Sequence, residues 1–347
     1  MTLEQRIEAL AELGRYMASE EPAWLDIRQR AYQENGWFLP EFIDLAIRQI
    51  AVNYLQKDKL EQWAARYNLP QENPDPKTIG LTMAGNIPLV GFHDFLSVFI
   101  TGHRQRIKPS SRDNTLIRHL IGKLETYHPD MSSQVSFAER LNGCDAYIAT
   151  GSNNSARYFD YYFGKYPHII RRNRTSVAVL TGQESWQDLD RLADDVYQYF
   201  GLGCRNVTKL YVPENYDFLS LLEAFRRYNY LNEVHKYKHN YDYQLTVLIL
   251  NKRYYMTNES ILLTEDPSPF SAISVLHYEY YKPGEDPAAA LLDNEDIQCI
   301  VRQDKAWSAT YPKANPLSCL ASFGSAQQPG LTDYADGVDT LQFLTSL

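Results

Sequence analysis

From Thr78 onward, short runs rich in β-branched and aromatic residues alternate with segments of helical apolar period, and this alternation constrains the fold more than any other feature. The spacing predicts strands over Thr78–Met83, Gln105–Ile107, Ala146–Thr150 and Ser176–Leu180, with helices over Pro88–Thr101, Asn114–His128 and Ser155–Tyr162 between them. Parallel strands need a crossover long enough for a helix, so this order predicts a largely parallel sheet covered on both faces. Ligands of such sheets bind outside the carboxyl ends of the strands. Candidate functional residues are therefore sought in the loops after those strands.

The chain before Thr78 reads differently. Leu3, Ile7, Leu10 and Met17 recur at helical spacing, Pro40 opens a second helical pattern through Phe42, Ile43, Ile47 and Ile50, and Pro70, Pro74 and Pro76 make a linker. After Ser176–Leu180 a helix is predicted over Asp188–Phe200, with Leu189, Leu192, Val196, Tyr197 and Phe200 on its apolar stripe and Gly201 and Gly203 ending it. A second α/β set follows: a strand over Val207–Val212, a helix over Phe218–Tyr228, strands over Gln244–Leu250 and Ile273–Tyr280, a short helix after Pro287, and a strand over Gln298–Val301. Pro312, Pro316, Pro329 and Gly330 mark an irregular final stretch.

Composition narrows the function classes. With 347 residues and 44% hydrophobic content the chain can bury the cores of two domains. A formal net charge of -9 argues against a nucleic-acid binder, which needs clustered positive charge facing phosphates. The concentrated basic run, Arg171-Arg172-Asn173-Arg174, reads as a solvated turn. The tyrosine clusters Tyr158–Tyr166, Tyr237–Tyr243 and Tyr278–Tyr281 read as packing of amphipathic rings. The four cysteines, Cys144, Cys204, Cys299 and Cys319, lie far apart with no Cys-x-x-Cys pair, so neither a disulfide framework nor a thiolate zinc site is expected. His235 and His239 share an i, i+4 spacing but lack a third ligand or an intervening acid motif, so no metal is expected. The longest apolar run, Ile87–Thr101, is interrupted by His93 and Asp94 and is too short to span a bilayer. Met1–Ile7 lacks the basic start and apolar run of a secretion signal, so a soluble cytoplasmic protein is expected, with a homo-oligomer left open.

Taken singly, the candidate residues are ambiguous. Cys204 sits between a glycine-punctuated helix end and an apolar strand, where a nucleophile would be held, although a lone cysteine is more often a small buried hydrophobe. Asn86, in the loop Met83-Ala84-Gly85-Asn86-Ile87-Pro88, can aim an amide N–H at a developing oxyanion or simply cap the next helix. Lys108, before Pro109, Ser110 and Ser111, can reach a ribose or phosphate or remain solvated. Gly151 and Ser152 lead into a helix whose first N–H groups can face a pyrophosphate, or Ser152 is a plain N-cap.

In their order, these segments resemble the aldehyde dehydrogenase superfamily and, within it, the LuxC-type acyl-CoA reductases. The resemblance runs from about Thr78 to Val212 and more loosely to the C-terminus; Asn35-Gly36-Trp37-Phe38 and Asp336-Gly337-Val338 also look like the reductase branch. It implies an aldehyde dehydrogenase-like fold of two α/β domains with largely parallel sheets and a helical N-terminal lead-in. The expected divisions are a helical segment over 1–70, a nicotinamide cofactor domain over 71–200, a catalytic domain over 201–310, and a segment over 311–347 returning to the cofactor domain. By resemblance Cys204 is the nucleophile, and Asn86 with the Cys204 backbone N–H forms the oxyanion hole. Met83, Ala84, Gly85, Lys108, Ser110, Ser111, Gly151 and Ser152 line the cofactor.

Two departures bear on the chemistry. The family's Glu-Leu-Gly-Gly segment, whose carboxylate activates the deacylating water, falls on Arg174-Thr175-Ser176-Val177, and its ribose-binding Glu-Phe-Gly-Pro segment falls on Pro269-Phe270-Ser271-Ala272. Neither retains an acid. The implied activity is NADPH-dependent reduction of an acyl thioester, on coenzyme A or an acyl protein, to the aldehyde through an acyl-cysteine. Alternatives are an aldehyde oxidiser or acyl-phosphate reductase of the same cysteine chemistry, and a silent scaffold or acyl-carrying subunit.

Overall fold

The computed structural model describes residues 1–303 and 319–347 and divides into two compact units, Met1–Asn173 with Pro329–Leu347, and Arg174–Gln328. The predicted prolines Pro312 and Pro316 lie outside the described residues.

The first unit opens with four helices: α1 (Leu3–Met17), α2 (Pro22–Glu34), α3 (Pro40–Asn53) and α4 (Lys57–Arg66). A capping box starts α1, with the Thr2 hydroxyl taking the Gln5 N–H and the Gln5 side chain taking the Thr2 N–H. Prolines at the first turn start α2 and α3, where a missing N–H costs nothing. Next come β1 (Thr78–Thr82), α5 (Phe92–Ile100), β2 (Arg104–Lys108), α6 (Thr115–Tyr127), β3 (Val135–Phe137), β4 (Ala146–Thr150), α7 (Asn153–Phe163) and β5 (His168–Arg171). All five strands are parallel, in the order β3-β2-β1-β4-β5. The order reverses at β1, which pairs with β2 on one side and β4 on the other.

One continuous core joins the N-terminal helices to the sheet. Leu10, Leu13, Trp24, Phe38 and Trp63 pack in the same apolar cluster as Phe95, Ile107 and Ile148. Arg6 anchors this union: its buried guanidinium donates to the Ile100 carbonyl at 3.1 Å and the Met1 carbonyl at 2.6 Å. The chain end returns as a helix over Thr340–Thr345, which packs on α5.

The basic run Arg171–Arg174 is not the solvated turn its composition suggested. Arg171 ends β5 with its guanidinium buried, donating to both Asp94 oxygens at 2.6 and 2.5 Å and to the Thr340 hydroxyl at 2.9 Å. A charge in that setting is tolerated because its carboxylate partner is equally buried and takes two hydrogen bonds from it. Arg172 keeps the expected exposure and pairs with Asp160.

The second unit holds β6 (Thr175–Val179), α8 (Trp186–Tyr197), β7 (Val207–Pro213), α9 (Phe218–Ala224), α10 (His235–Leu250), β8 (Met256–Thr257), β9 (Leu262–Glu265), β10 (Val275–Tyr281), α11 (Pro287–Leu291), β11 (Ile297–Arg302) and β12 (Cys319–Ser322). Its sheet runs β12-β11-β6-β7-β10-β9-β8, parallel except for β8 against β9. The strand expected over Gln244–Leu250 is instead the end of α10. Tyr237, Tyr241 and Leu248 form its buried face at helical spacing, and the Tyr237 hydroxyl donates to the Ser260 carbonyl at 2.8 Å. Packing of that face overrides the strand preference of the β-branched run.

Candidate functional site

Each unit brings part of the candidate constellation to one end of its sheet. In the first unit, the loops after β1, β2 and β4 emerge at the carboxyl edge around the point where strand order reverses. Those loops carry Met83–Asn86, Lys108–Ser111 and Gly151–Ser152. Such a switch point is where an open parallel sheet leaves a crevice for a ligand.

The β1 and β2 loops are held together. The Met83 N–H donates to the Lys108 carbonyl at 3.1 Å, extending the strand pairing by one step. Gly85 approaches Ser110 so closely that a Cβ would lie 2.5 Å from the Ser110 hydroxyl oxygen, so only glycine fits there. Asn86, half-buried, follows immediately, and Ala84 precedes with similar exposure. Lys108 and Ser111 are exposed, and Lys108 makes no ion pair among the described residues. Gly151 donates its N–H to the Arg171 carbonyl at 3.3 Å, while the Ser152 hydroxyl caps α7 by accepting from the Ser155 N–H at 3.3 Å.

Sequence reasoning passed over Asp113, which closes the β2 loop. Its buried Oδ2 accepts from the Leu89 N–H at 2.6 Å, and Leu89 is held in the left-handed region at φ 57°. Burial pushes the carboxyl up to about 7 against the opposing effect of that hydrogen bond. An Asp six residues after a predicted strand, just before a helical pattern, is ordinarily read as a cap, which hid its reach to another loop.

In the second unit the helix before Cys204 ends earlier than its apolar stripe predicted. α8 stops at Tyr197, and Tyr199, Phe200 and Gly201 follow with φ of 54°, 58° and 73°. Two consecutive non-glycine residues in the left-handed region carry strain that the surroundings must hold. Both side chains are buried, which supplies the hold. Gly203 does not adopt a positive φ, so the expected role in breaking the helix falls to Gly201 and its two predecessors.

Cys204 follows on a turn organised by Asn206. The Asn206 Oδ1 accepts the Gly203 N–H at 2.8 Å, and its amide donates to the Asp195 and Gln198 carbonyls at 3.0 and 2.9 Å. The Ser176 hydroxyl, on β6, donates to the Cys204 carbonyl at 3.0 Å and accepts the Cys299 N–H at 3.0 Å. Cys204 is half-buried, whereas Cys144 and Cys299 are buried; burial pushes the Cys144 thiol up. A thiol that must meet a substrate needs access, and among these three only Cys204 has it. Beside the turn a small pocket is lined by Phe200, Gly201, Val207, Ile261, Ala272 and Ile273. Neither Asn206 nor Ser176 was nominated from sequence. An Asn closing a Gly-Cys-Arg-Asn turn was the available signal.

His235 and His239 are exposed on α10 with ring centroids 6.1 Å apart, and no group of three metal-ligating side chains occurs among the described residues. No helix among the described residues is long and apolar enough to cross a membrane.

No protein-family model matches the sequence, and no curated protein does. Solved structures do match. Methylmalonate-semialdehyde dehydrogenase from Oceanimonas doudoroffii aligns with a TM-score of 0.74 at 11% identity, covering 99% of this chain and 84% of that one. An NADP-dependent enzyme from E. coli aligns at 0.68 and 12% identity, over 93% and 78%. An alanine variant of an aldehyde dehydrogenase from Pseudomonas syringae, complexed with NAD+ and octanal, aligns at 0.63 and 10% identity, over 92% and 77%. The chain has the aldehyde dehydrogenase fold.

Proposed function

We propose that the protein reduces an acyl thioester to the aldehyde through an acyl-Cys204 intermediate, in the manner of LuxC-type acyl-CoA reductases, using NADPH. The observation that carries the proposal is Cys204 itself: half-buried where Cys144 and Cys299 are buried, on a turn pinned by Asn206 and Ser176 and preceded by strained backbone. Similarity of fold to structures named as NADP-dependent or as holding NAD+ supports a nicotinamide cofactor.

The first unit, on this reading, is the cofactor domain and the second the catalytic domain. The residues present suit the cofactor. Gly85 lets the β1 loop close on Ser110, Lys108 offers a cation at the end of β2 with no ion pair among the described residues, and the start of α7 presents backbone N–H groups beside Gly151 and Ser152. When bound, NADPH supplies the hydride.

The chain's own residues do the rest. The Cys204 thiolate attacks the thioester carbonyl, and the carbonyl electron pair moves to oxygen. The Asn86 amide and the Cys204 N–H are assigned to that oxyanion; loss of one such donor typically costs roughly 100- to 1,000-fold in rate. As the oxyanion collapses, the carbon–sulfur bond to coenzyme A breaks and the departing thiolate takes a proton from solvent. No acid lies between His168 and Val177, which favours survival of the acyl-enzyme until reduction. An aldehyde oxidiser would need a base for its deacylating water.

The decisive experiment is mass spectrometry of the intact protein and of Cys204→Ala after exposure to a panel of acyl-CoAs, followed by NADPH. The expected result is an acyl adduct on the native chain, removed by NADPH with release of aldehyde, and none on the variant. An adduct that persists on Cys204→Ala places the nucleophile elsewhere.

A further inference from the structure

The Met83–Gly91 loop is braced on both sides of Asn86 by a single turn. Before Asn86, Gly85 lies against the Ser110 side chain; after it, the Leu89 N–H donates to Asp113 Oδ2 at 2.6 Å. The Ser110–Asp113 turn is itself stiff. The Asp113 N–H donates to the Ser110 carbonyl at 3.2 Å, the Arg112 N–H to the Ser110 hydroxyl at 3.2 Å, and the Asn35 amide to the Arg112 carbonyl at 3.1 Å. Leu89 occupies a backbone region that a branched side chain adopts only when its surroundings insist, and the buried Asp113 carboxylate supplies that insistence. Asp113 Oδ1, also buried, has no hydrogen-bond partner among the described residues, so the carboxyl is spent on the Leu89 N–H.

We infer that Asp113 is a positioning residue that fixes the Asn86 side chain for oxyanion binding by clamping Leu89. This rests on the reading of Asn86 as an oxyanion donor. A buried carboxyl that served packing alone would be replaced by an apolar group at no cost in rate; one that sets a donor's position would not.

The test uses the full chain and p-nitrophenyl acetate, whose acyl transfer to Cys204 releases p-nitrophenolate as a burst. Four variants are compared with the native protein: Asn86→Ala, Asp113→Ala, the double variant, and Asp113→Asn, which keeps an oxygen for the Leu89 N–H. Asp113→Ala should slow the burst about 10-fold or more and Asp113→Asn by less than about 3-fold, while in the Asn86→Ala background Asp113→Ala should change the rate less than about 2-fold. Hydrogen exchange at Leu89 should quicken in Asp113→Ala. Equal slowing in both backgrounds, or unchanged exchange at Leu89, overturns the inference. If Asp113→Ala does not fold, Asp113→Ser, too short to reach Leu89, takes its place. Absence of any burst from the native protein sinks the acyl-transfer reading instead, and the exchange measurement still decides whether Asp113 holds the loop.

Discussion

The side-chain amide of Asn206, two residues beyond Cys204, donates to the backbone carbonyl of Asp195 at 3.0 Å, so the candidate nucleophile's turn is tied directly to the last turns of α8. The Asp195 carboxylate meanwhile accepts the N–H groups of Gly324 and Ala326 at 2.6 and 3.0 Å. One residue of the helix therefore organises both the Cys204 turn and a distant stretch of the same unit.

Replacing Asn206 with Ala should loosen that turn. It removes two donated hydrogen bonds and one accepted from buried backbone groups, a loss of roughly 2–4 kcal/mol if the contributions add. Thermal unfolding should show it, and the acyl-transfer rate should fall beyond what reduced folded fraction explains. An Asn206→Ala protein with native stability and native burst rate would mean the turn is held by Ser176 alone.

Much of this arrangement was legible beforehand, and what was not has a physical cause. The strands β1, β2, β4 and β7 and the loops after the first three are local: period, turn residues and β-branched runs declare them. The links that make a site out of these loops are not local. Asp113 reaches a residue 24 positions away, and Ser176 joins one 28 positions away to another 123 away, so nothing in their immediate sequence records the partner. Arg171 was misread for the same reason, because its partner Asp94 lies 77 positions away. The Gln244–Leu250 error came from reading β-branched content where the Tyr237–Tyr241–Leu248 face decided.

The two buried carboxyls give the fold a defined pH response. Asp113 and Asp195 each rise from 3.8 to about 7, chiefly by burial. Between about pH 4 and 7 the folded chain thus holds protons that the unfolded chain has released, so stability falls as pH rises through that window and levels above it. A shift of this size corresponds to roughly 4 kcal/mol per group at full ionisation. Asp113→Asn removes one such penalty, so its melting temperature relative to the native protein should be higher at pH 8 than at pH 5. A difference that does not change with pH would show that Asp113 is ionised in the fold at little cost.

Without cofactor, the acyl-Cys204 thioester should persist. The segment over 168–177, where a water-activating carboxylate would be sought, holds none, and the β6 residue nearest Cys204 by hydrogen bonding is Ser176, whose hydroxyl is engaged on both sides. Neither bond leaves the hydroxyl placed to act as a base. Following the adduct by mass spectrometry over many turnover times should show slow loss. Rapid appearance of free acid would point to a base elsewhere and return the oxidising alternative to first place.

Cofactor choice should favour NADPH over NADH. In resembling NAD-using enzymes a glutamate follows the Lys-Pro-Ser segment and accepts from the adenosine ribose hydroxyls, and it would repel a 2′-phosphate. This chain has Ser111 there, followed by Arg112; both are exposed, as is Lys108. The serine removes the like charge and adds a hydroxyl donor, while Lys108 and Arg112 offer charge-assisted contacts worth about 1.5–3 kcal/mol each when well aligned. The Arg112 backbone is already fixed by its N–H to Ser110 and by Asn35 on its carbonyl, so less ordering is needed to bring its guanidinium to a phosphate. Ser111→Glu should erode the preference mainly by weakening NADPH. Calorimetric titration of both cofactors into both proteins decides the matter, and equal or tighter NADH binding by the native chain defeats the assignment.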